Sequence, residues 1–168
     1  MRKFLDSLYD GAATLAAIMM VGTLVMVVLG MVDRYVSINF RGTDMYAGYC
    51  MAASGFLALA HTLKRNEHIR VTLLLAGAKP GIKRALELWS LLAAIVLAGL
   101  FFFYSARLCY QSFDFKDIST GNDATPLWIP QLGMAFGTFV LVVAFIDEFV
   151  LELQGTRSVI AAEGLRNE

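Results

Sequence analysis

The side chains that could do chemistry in this 168-residue chain are few, and they stand near the ends of its apolar stretches. A proton relay or an ion path needs an ionisable group deep in a membrane, where each costs about 2.5–3.5 kcal/mol or more. The acids Asp33, Asp44, Glu87 and Asp147 all stand at the ends of apolar stretches, where a carboxylate stays hydrated. The sequence therefore predicts no proton-relay or ion site inside these stretches.

The histidines and cysteines show no pattern typical of a metal or redox centre. A haem anchor needs two histidines that face each other at depth, whereas His61 and His68 both lie at one edge of the second apolar stretch. Cys50 and Cys109 are too few for a disulfide framework and form no CxxC pair. No nucleophile stands beside a base. We therefore expect neither an enzyme nor a cofactor in this chain.

The composition is typical of a small integral membrane protein. Hydrophobic residues make up 58% of the chain and charged residues 17%, whereas soluble domains have about 45–50% and about 25%. The 14 Lys and Arg residues balance the 14 Asp and Glu residues, and no basic tract could follow a phosphate backbone. We expect no nucleic-acid partner, and the length favours a single domain over residues 1–168.

Four stretches between charged residues are long enough to cross a membrane. A helix rises about 1.5 Å per residue and the hydrocarbon core is about 30 Å thick. The second stretch is the weakest, because His61 and Thr62 shorten its apolar part. The first is too long for the apolar region of a signal peptide, although Arg2 and Lys3 precede it. The predicted spans are about residues 11–32, 45–63, 88–106 and 127–148.

The basic residues predict the orientation of these spans. Placing both termini in the cytoplasm puts ten of the 14 Lys and Arg residues inside, in agreement with the positive-inside rule. The cytoplasmic connection after the second span is long, and residues 67–78 are amphipathic, which favours an interfacial helix. Residues 82–89 form either a second amphipathic piece after Pro80-Gly81 or the cytoplasmic end of the third span, and the second alternative is favoured. The predicted fold is thus all-α, with four transmembrane helices, N-in/C-in, and an amphipathic interfacial helix between the second and third spans.

Small residues recur in the spans at the spacing of helix contacts. Gly48, Ala52 and Gly55 follow one another at i, i+4 and i+7 in the second span, and Gly133 and Gly137 form a GxxxG pair in the fourth. Helices in lipid associate through close backbone approach, so faces of small residues are contact faces. These faces serve either packing within the chain or contact with a second protein, and the sequence leaves both open.

The order of motifs along the chain resembles the small membrane subunit of tripartite ATP-independent periplasmic (TRAP) transporters, a DctQ-like family. The Arg34-Tyr35 pair follows the first span, and Asp44 opens the second. A Gly/Ala-rich run at residues 55–60 leads to a basic turn and the His-Ile-Arg-Val segment of residues 68–71. Ile129-Pro130 opens the last span. The resemblance covers nearly the whole chain.

The resemblance implies an accessory permease subunit of the bacterial cytoplasmic membrane. In this family a large membrane subunit carries the sodium sites and the substrate path, and a periplasmic binding protein delivers an organic acid. The small subunit packs against the large one and braces it. The expected partner-facing residues are Asp44, Gly48, Ala52, Gly55, Gly133 and Gly137, and the expected contacts with phospholipid or partner are Glu67, His68 and Arg70.

Two other functions compete with this interpretation. A stand-alone small multidrug-type transporter could work as a homodimer, but it would need a buried carboxylate. A membrane anchor of a redox enzyme would need histidines placed at depth. The acidic connection between the third and fourth spans either receives a partner or is solvated.

Overall fold

Four helices make up most of the chain in a computed structural model, which describes residues 2–36, 41–64, 80–121 and 123–154. Within those ranges the β-structure is a single isolated bridge between Ile118 and Pro126. The predicted all-α fold is therefore confirmed for the described residues. The helices are α1 (Arg2–Val36), α2 (Thr43–Lys64), α3 (Pro80–Asp114) and α4 (Trp128–Leu153).

Three of the helices are long and apolar enough to cross a membrane. The candidate spans are Leu5–Val36 in α1, Arg84–Asp114 in α3 and Trp128–Leu153 in α4. The helix α2 has many small or weakly polar residues and is not one of these three candidate spans. Its membrane span, like the orientation, stays a prediction.

The structure extends the helices beyond the charges that bounded the predicted spans. At about 1.5 Å per residue, the 35 residues of α1 and of α3 reach about 52 Å, well beyond the hydrocarbon core. The helix α3 begins at Pro80, whose fixed φ suits a first helical position. Residues 82–89 therefore belong to the start of this helix. The interfacial helix predicted at residues 67–78 lies outside the described residues.

The helix α2 lies in the middle of the described bundle. It packs along α1 on one side and along α4 on the other, and α3 packs against α4. We call the end with the α1–α2 and α3–α4 connections the loop end, and the end where α1 begins and α4 finishes the terminal end. The core is built largely from small residues, and its buried members are Tyr9, Ala12, Ala16, Ala53, Leu57, Ala60, Leu63, Ala98, Val140, Leu141 and Ala144.

Candidate functional site

The glycine pair of α4 faces α2 of the same chain. A Cβ atom added at Gly133 would lie 2.8 Å from the Cβ of Ala53. One added at Gly137 would lie 2.6 Å from both the backbone carbon and the carbonyl oxygen of Phe56. The two helices run in the same direction and approach closely because neither glycine has a side chain. Gly133 and Gly137 therefore serve packing within the chain. The sequence had left open whether they do this or contact a second protein.

The small residues of α2 lie on a different face of that helix, which is open. Gly48, Ala52 and Gly55 are exposed, and a Cβ added at either glycine would meet nothing within 4 Å. Asp44 is exposed in the first turn of α2, where a carboxylate suits the helix dipole. We call Asp44, Gly48, Ala52 and Gly55 the α2 open face. The other three predicted contact residues, Glu67, His68 and Arg70, lie outside the described residues.

A hydrogen-bonded network joins α2 to the α3–α4 connection at the loop end. The hydroxyl of Tyr49 lies 2.9 Å from Oγ of Ser119 and donates to Oδ2 of Asp123 at 3.1 Å. Ser119 Oγ donates to Oδ1 of Asp123 at 2.7 Å and accepts the backbone N–H of Gly121 at 3.2 Å. Partial desolvation raises the pKa of Asp123, but the hydrogen bonds to its carboxylate, first that of Ser119, outweigh this and lower the pKa below its usual value.

The α3–α4 connection is held in shape by a β-bridge and packs against the α1–α2 connection. Its bridge is closed by two hydrogen bonds, from the N–H of Ser119 to Thr125 O at 2.8 Å and from the N–H of Leu127 to Asp117 O at 3.0 Å. Gly42, in the α1–α2 connection, has a φ of 85°, and a Cβ there would lie 2.6 Å from the Cβ of Asp123. The two connections are therefore packed together at this end.

A second polar cluster joins α1 to α2 at the terminal end. Lys64 forms an ion pair with Asp6, and its Nζ lies 4.6 Å from the centre of the Tyr9 ring. One turn away, Nδ1 of His61 lies 3.7 Å from Oδ1 of Asp10. These contacts hold the start of α1 against the end of α2, and a cation over an aromatic face adds electrostatic attraction.

Acidic residues of α4 approach the same cluster. Glu148 is buried at 9% exposure and Asp147 is half-buried. Both act electrostatically on Tyr9, as does Asp6. Across the described ranges, no three acidic, histidine or cysteine side chains come together in a way that could hold a metal ion. The cluster therefore brings together the start of α1 and the ends of α2 and α4.

Neither polar cluster was predicted from the sequence, although one left a signal. Asp6 and Asp10 are four residues apart and His61 and Lys64 three apart, so carboxylates on one helix and nitrogen-bearing side chains on the other recur once per turn on two helices that run in opposite directions. The network at the loop end left no comparable signal. This network depends on the path of the α3–α4 connection. Two residues of that connection other than glycine, Lys116 and Ala124, have a positive φ.

A helical membrane protein is the class that these features define, with three candidate spans and polar contacts that tie helices together at both ends. Residues 23–155 match the family model of the DctQ component of tripartite ATP-independent periplasmic transporters. The chain belongs to that family, which confirms the resemblance drawn from its motifs. It is a transporter subunit and not an enzyme. No curated protein matches the chain.

Proposed function

We propose that this chain is the small permease subunit of a sodium-coupled TRAP importer, and that it docks on the large permease subunit through the α2 open face. Membership of the DctQ family supports a place in a tripartite transporter. The observation that carries the docking surface is the position of α2, which packs between α1 and α4 and still leaves Gly48 and Gly55 with open space before them.

The composition of α2 favours a protein neighbour over lipid at this face. The helices α1, α3 and α4 each have an apolar window typical of a membrane span, whereas α2 has none and presents glycine and alanine outwards. Close backbone approach gives two helices in lipid more packing contacts than acyl chains would provide. Because α1 and α4 flank α2 and are candidate spans themselves, we infer that α2 also crosses the membrane.

The remaining parts of the proposal follow from the family and the charge distribution. Both termini lie in the cytoplasm and the loop end faces the periplasm of a bacterium, with the chain in the cytoplasmic membrane. The sodium sites and the path of the organic acid belong to the large subunit, and the periplasmic binding protein delivers the substrate. This chain braces the large subunit and holds no cofactor. Glu67, His68 and Arg70 contact the partner or phospholipid headgroups.

Copurification of the large subunit tests this proposal. The tagged chain is expressed in its own host and extracted in a mild detergent, and the membrane proteins that come with it are quantified by mass spectrometry. We expect a large multispanning protein at near one-to-one ratio with the wild type. Gly55→Leu should lower that ratio about tenfold, because the new side chain prevents close approach of the partner helix.

Gly99→Leu on α3 is the matched control, since a Cβ at Gly99 also meets nothing within 4 Å. It should copurify the large subunit as the wild type does. An undiminished ratio for Gly55→Leu would exclude the α2 open face as the docking surface. Recovery of the wild-type chain alone, as a dimer in lipid discs, would instead contradict the accessory-subunit proposal and favour a stand-alone transporter.

A further inference from the structure

An apolar groove runs along α3 and α4 from the loop end towards the middle of the bundle. Its outer part, of about 480 Å³, is lined by Phe113, Asp114, Lys116, Ile118, Pro126 and Trp128. Its inner part, of about 360 Å³, shares Phe113 and Trp128 with the outer part and continues between Cys109, Tyr110, Leu132 and Ala135. The size of the outer part is in the range of small-molecule sites, about 300–1,000 Å³.

Aromatic rings form the walls of this groove at the level where two candidate spans end. The rings of Phe113 and Trp128 meet edge to face with centroids 5.8 Å apart, at the last turn of α3 and the first turn of α4. Aromatic side chains favour the level of the lipid headgroups at the ends of membrane spans. In a bilayer crossed by these two candidate spans, the groove would begin at headgroup level and extend, between apolar side chains, to the level of the acyl chains.

One acidic and one basic side chain stand at the mouth of the groove. Asp114 ends α3 and Lys116 follows two residues later, and both are exposed. Neither has an oppositely charged side chain within 4.0 Å among the residues that the structure describes. Lys116 has a φ of 54°, a conformation that residues other than glycine adopt rarely. The outer part of the groove is thus lined by one cation and one anion as well as by apolar side chains.

We propose that this groove binds one zwitterionic phospholipid of the phosphatidylethanolamine type. Lys116 faces the phosphate and Asp114 faces the ammonium group, while one acyl chain lies along the outer surface of the two touching rings of Phe113 and Trp128 and over the inner part of the groove. The charge pattern selects this headgroup over an anionic one, because Asp114 repels a second negative charge. It selects it over a choline headgroup because a primary ammonium donates hydrogen bonds to the Asp114 carboxylate, whereas a trimethylated nitrogen has no N–H to donate. The site is a property of this chain alone and does not depend on the docking surface proposed for α2.

Quenching of Trp128 by brominated lipids tests the proposal on the full chain. The chain has two tryptophans, so Trp89→Phe leaves Trp128 as the sole reporter. This variant is reconstituted in phosphatidylcholine bilayers that contain a rising fraction of brominated phosphatidylethanolamine, phosphatidylglycerol or phosphatidylcholine. Quenching by brominated phosphatidylethanolamine should reach half its maximum at a mole fraction about fivefold lower than with the other two headgroups, an effect typical of partly exposed charge pairs.

Paired variants separate a built site from lipids that merely surround the protein. Asp114→Asn with Lys116→Gln should abolish the headgroup preference, whereas Arg107→Gln with Asp117→Asn removes the same charges outside the groove lining and should retain it. Trp89, read in a Trp128→Phe variant, should show no preference. Equal quenching by the three lipids, a preference for phosphatidylglycerol, or a preference that survives in the first pair of variants would overturn the proposal.

Discussion

The hydroxyl of Tyr49 on α2 and the carboxylate of Asp123 in the α3–α4 connection lie 3.1 Å apart, although 74 residues separate them in the chain. This contact ties the central helix to the connection between the two helices on its far side. Thr125 adds a second tie, because its hydroxyl donates to that of Tyr46 at 3.0 Å. The loop end is therefore a folded cap over the start of α2.

Removal of the Tyr49 hydroxyl should loosen this cap. One hydrogen bond contributes about 1 kcal/mol net, and each kcal/mol shifts the Tm of a chain of this size by about 2–4 °C. We expect Tyr49→Phe to lower the Tm of the purified chain in detergent by about that amount, as followed by circular dichroism. Tyr110→Phe is the control, since Tyr110 is 70% exposed. An unchanged Tm for Tyr49→Phe would show that the contact adds nothing to stability.

The lowered pKa of Asp123 makes the cap sensitive to acid. A carboxyl whose pKa is lower in the folded than in the unfolded chain stabilises the fold fully above the unfolded pKa of about 4, and this contribution is lost as the pH falls through the lower folded value. Asp123→Asn lacks this titration. The Tm difference between wild type and Asp123→Asn should therefore be constant from pH 7 to about 5 and shrink below about pH 4. A difference that grows with acidification would contradict this sign.

The sequence predicted the helices well and their arrangement poorly. Apolar runs between charges indicate membrane spans because the cost of burying charge is large, and α1, α3 and α4 follow that rule. The same reasoning placed span ends at Asp10 and Arg107, whereas α1 and α3 continue through these residues. A charged residue beside an apolar run therefore does not mark the end of the helix, because a helix outside the hydrocarbon core is free to carry charges.

Contacts between distant residues were beyond prediction for a different reason. The GxxxG pair at Gly133 and Gly137 indicated a close helix contact but not the partner helix, because any small-residue face could meet it. The contact with Ala53 and Phe56 depends on the order of the helices across the bundle. The Tyr49–Asp123 contact depends further on the path of the α3–α4 connection, which is set by backbone conformations that residue types do not reveal.

A methyl group at Gly137 should separate α2 from α4. The new Cβ would lie 2.6 Å from backbone atoms of Phe56, which have no flexible end that could move aside. Overpacking of this kind costs about 1–3 kcal/mol, so we expect Gly137→Ala to lower the Tm by roughly 5 °C. Gly99→Ala places the same group in open space on α3 and should leave the Tm unchanged or raise it, since alanine favours the helix. Equal effects of the two changes would argue against the α2–α4 contact.

The buried hydroxyl of Tyr9 should cost stability rather than add to it. Tyr9 is 1% exposed and packs in the core, while its hydroxyl has no hydrogen-bond partner among the described residues. A buried polar group without a partner costs about 1–3 kcal/mol, and phenylalanine retains the ring that Lys64 contacts. Tyr9→Phe should therefore raise the Tm by about 2–12 °C. Tyr9→Ala, which leaves a cavity in place of the ring, should lower the Tm strongly, since such changes cost about 3–5 kcal/mol. If Tyr9→Phe instead lowered the Tm, the hydroxyl would have to be hydrogen-bonded in the folded protein, with the carboxylates of Asp6 and Asp147 as the first acceptors to test by Asn substitution.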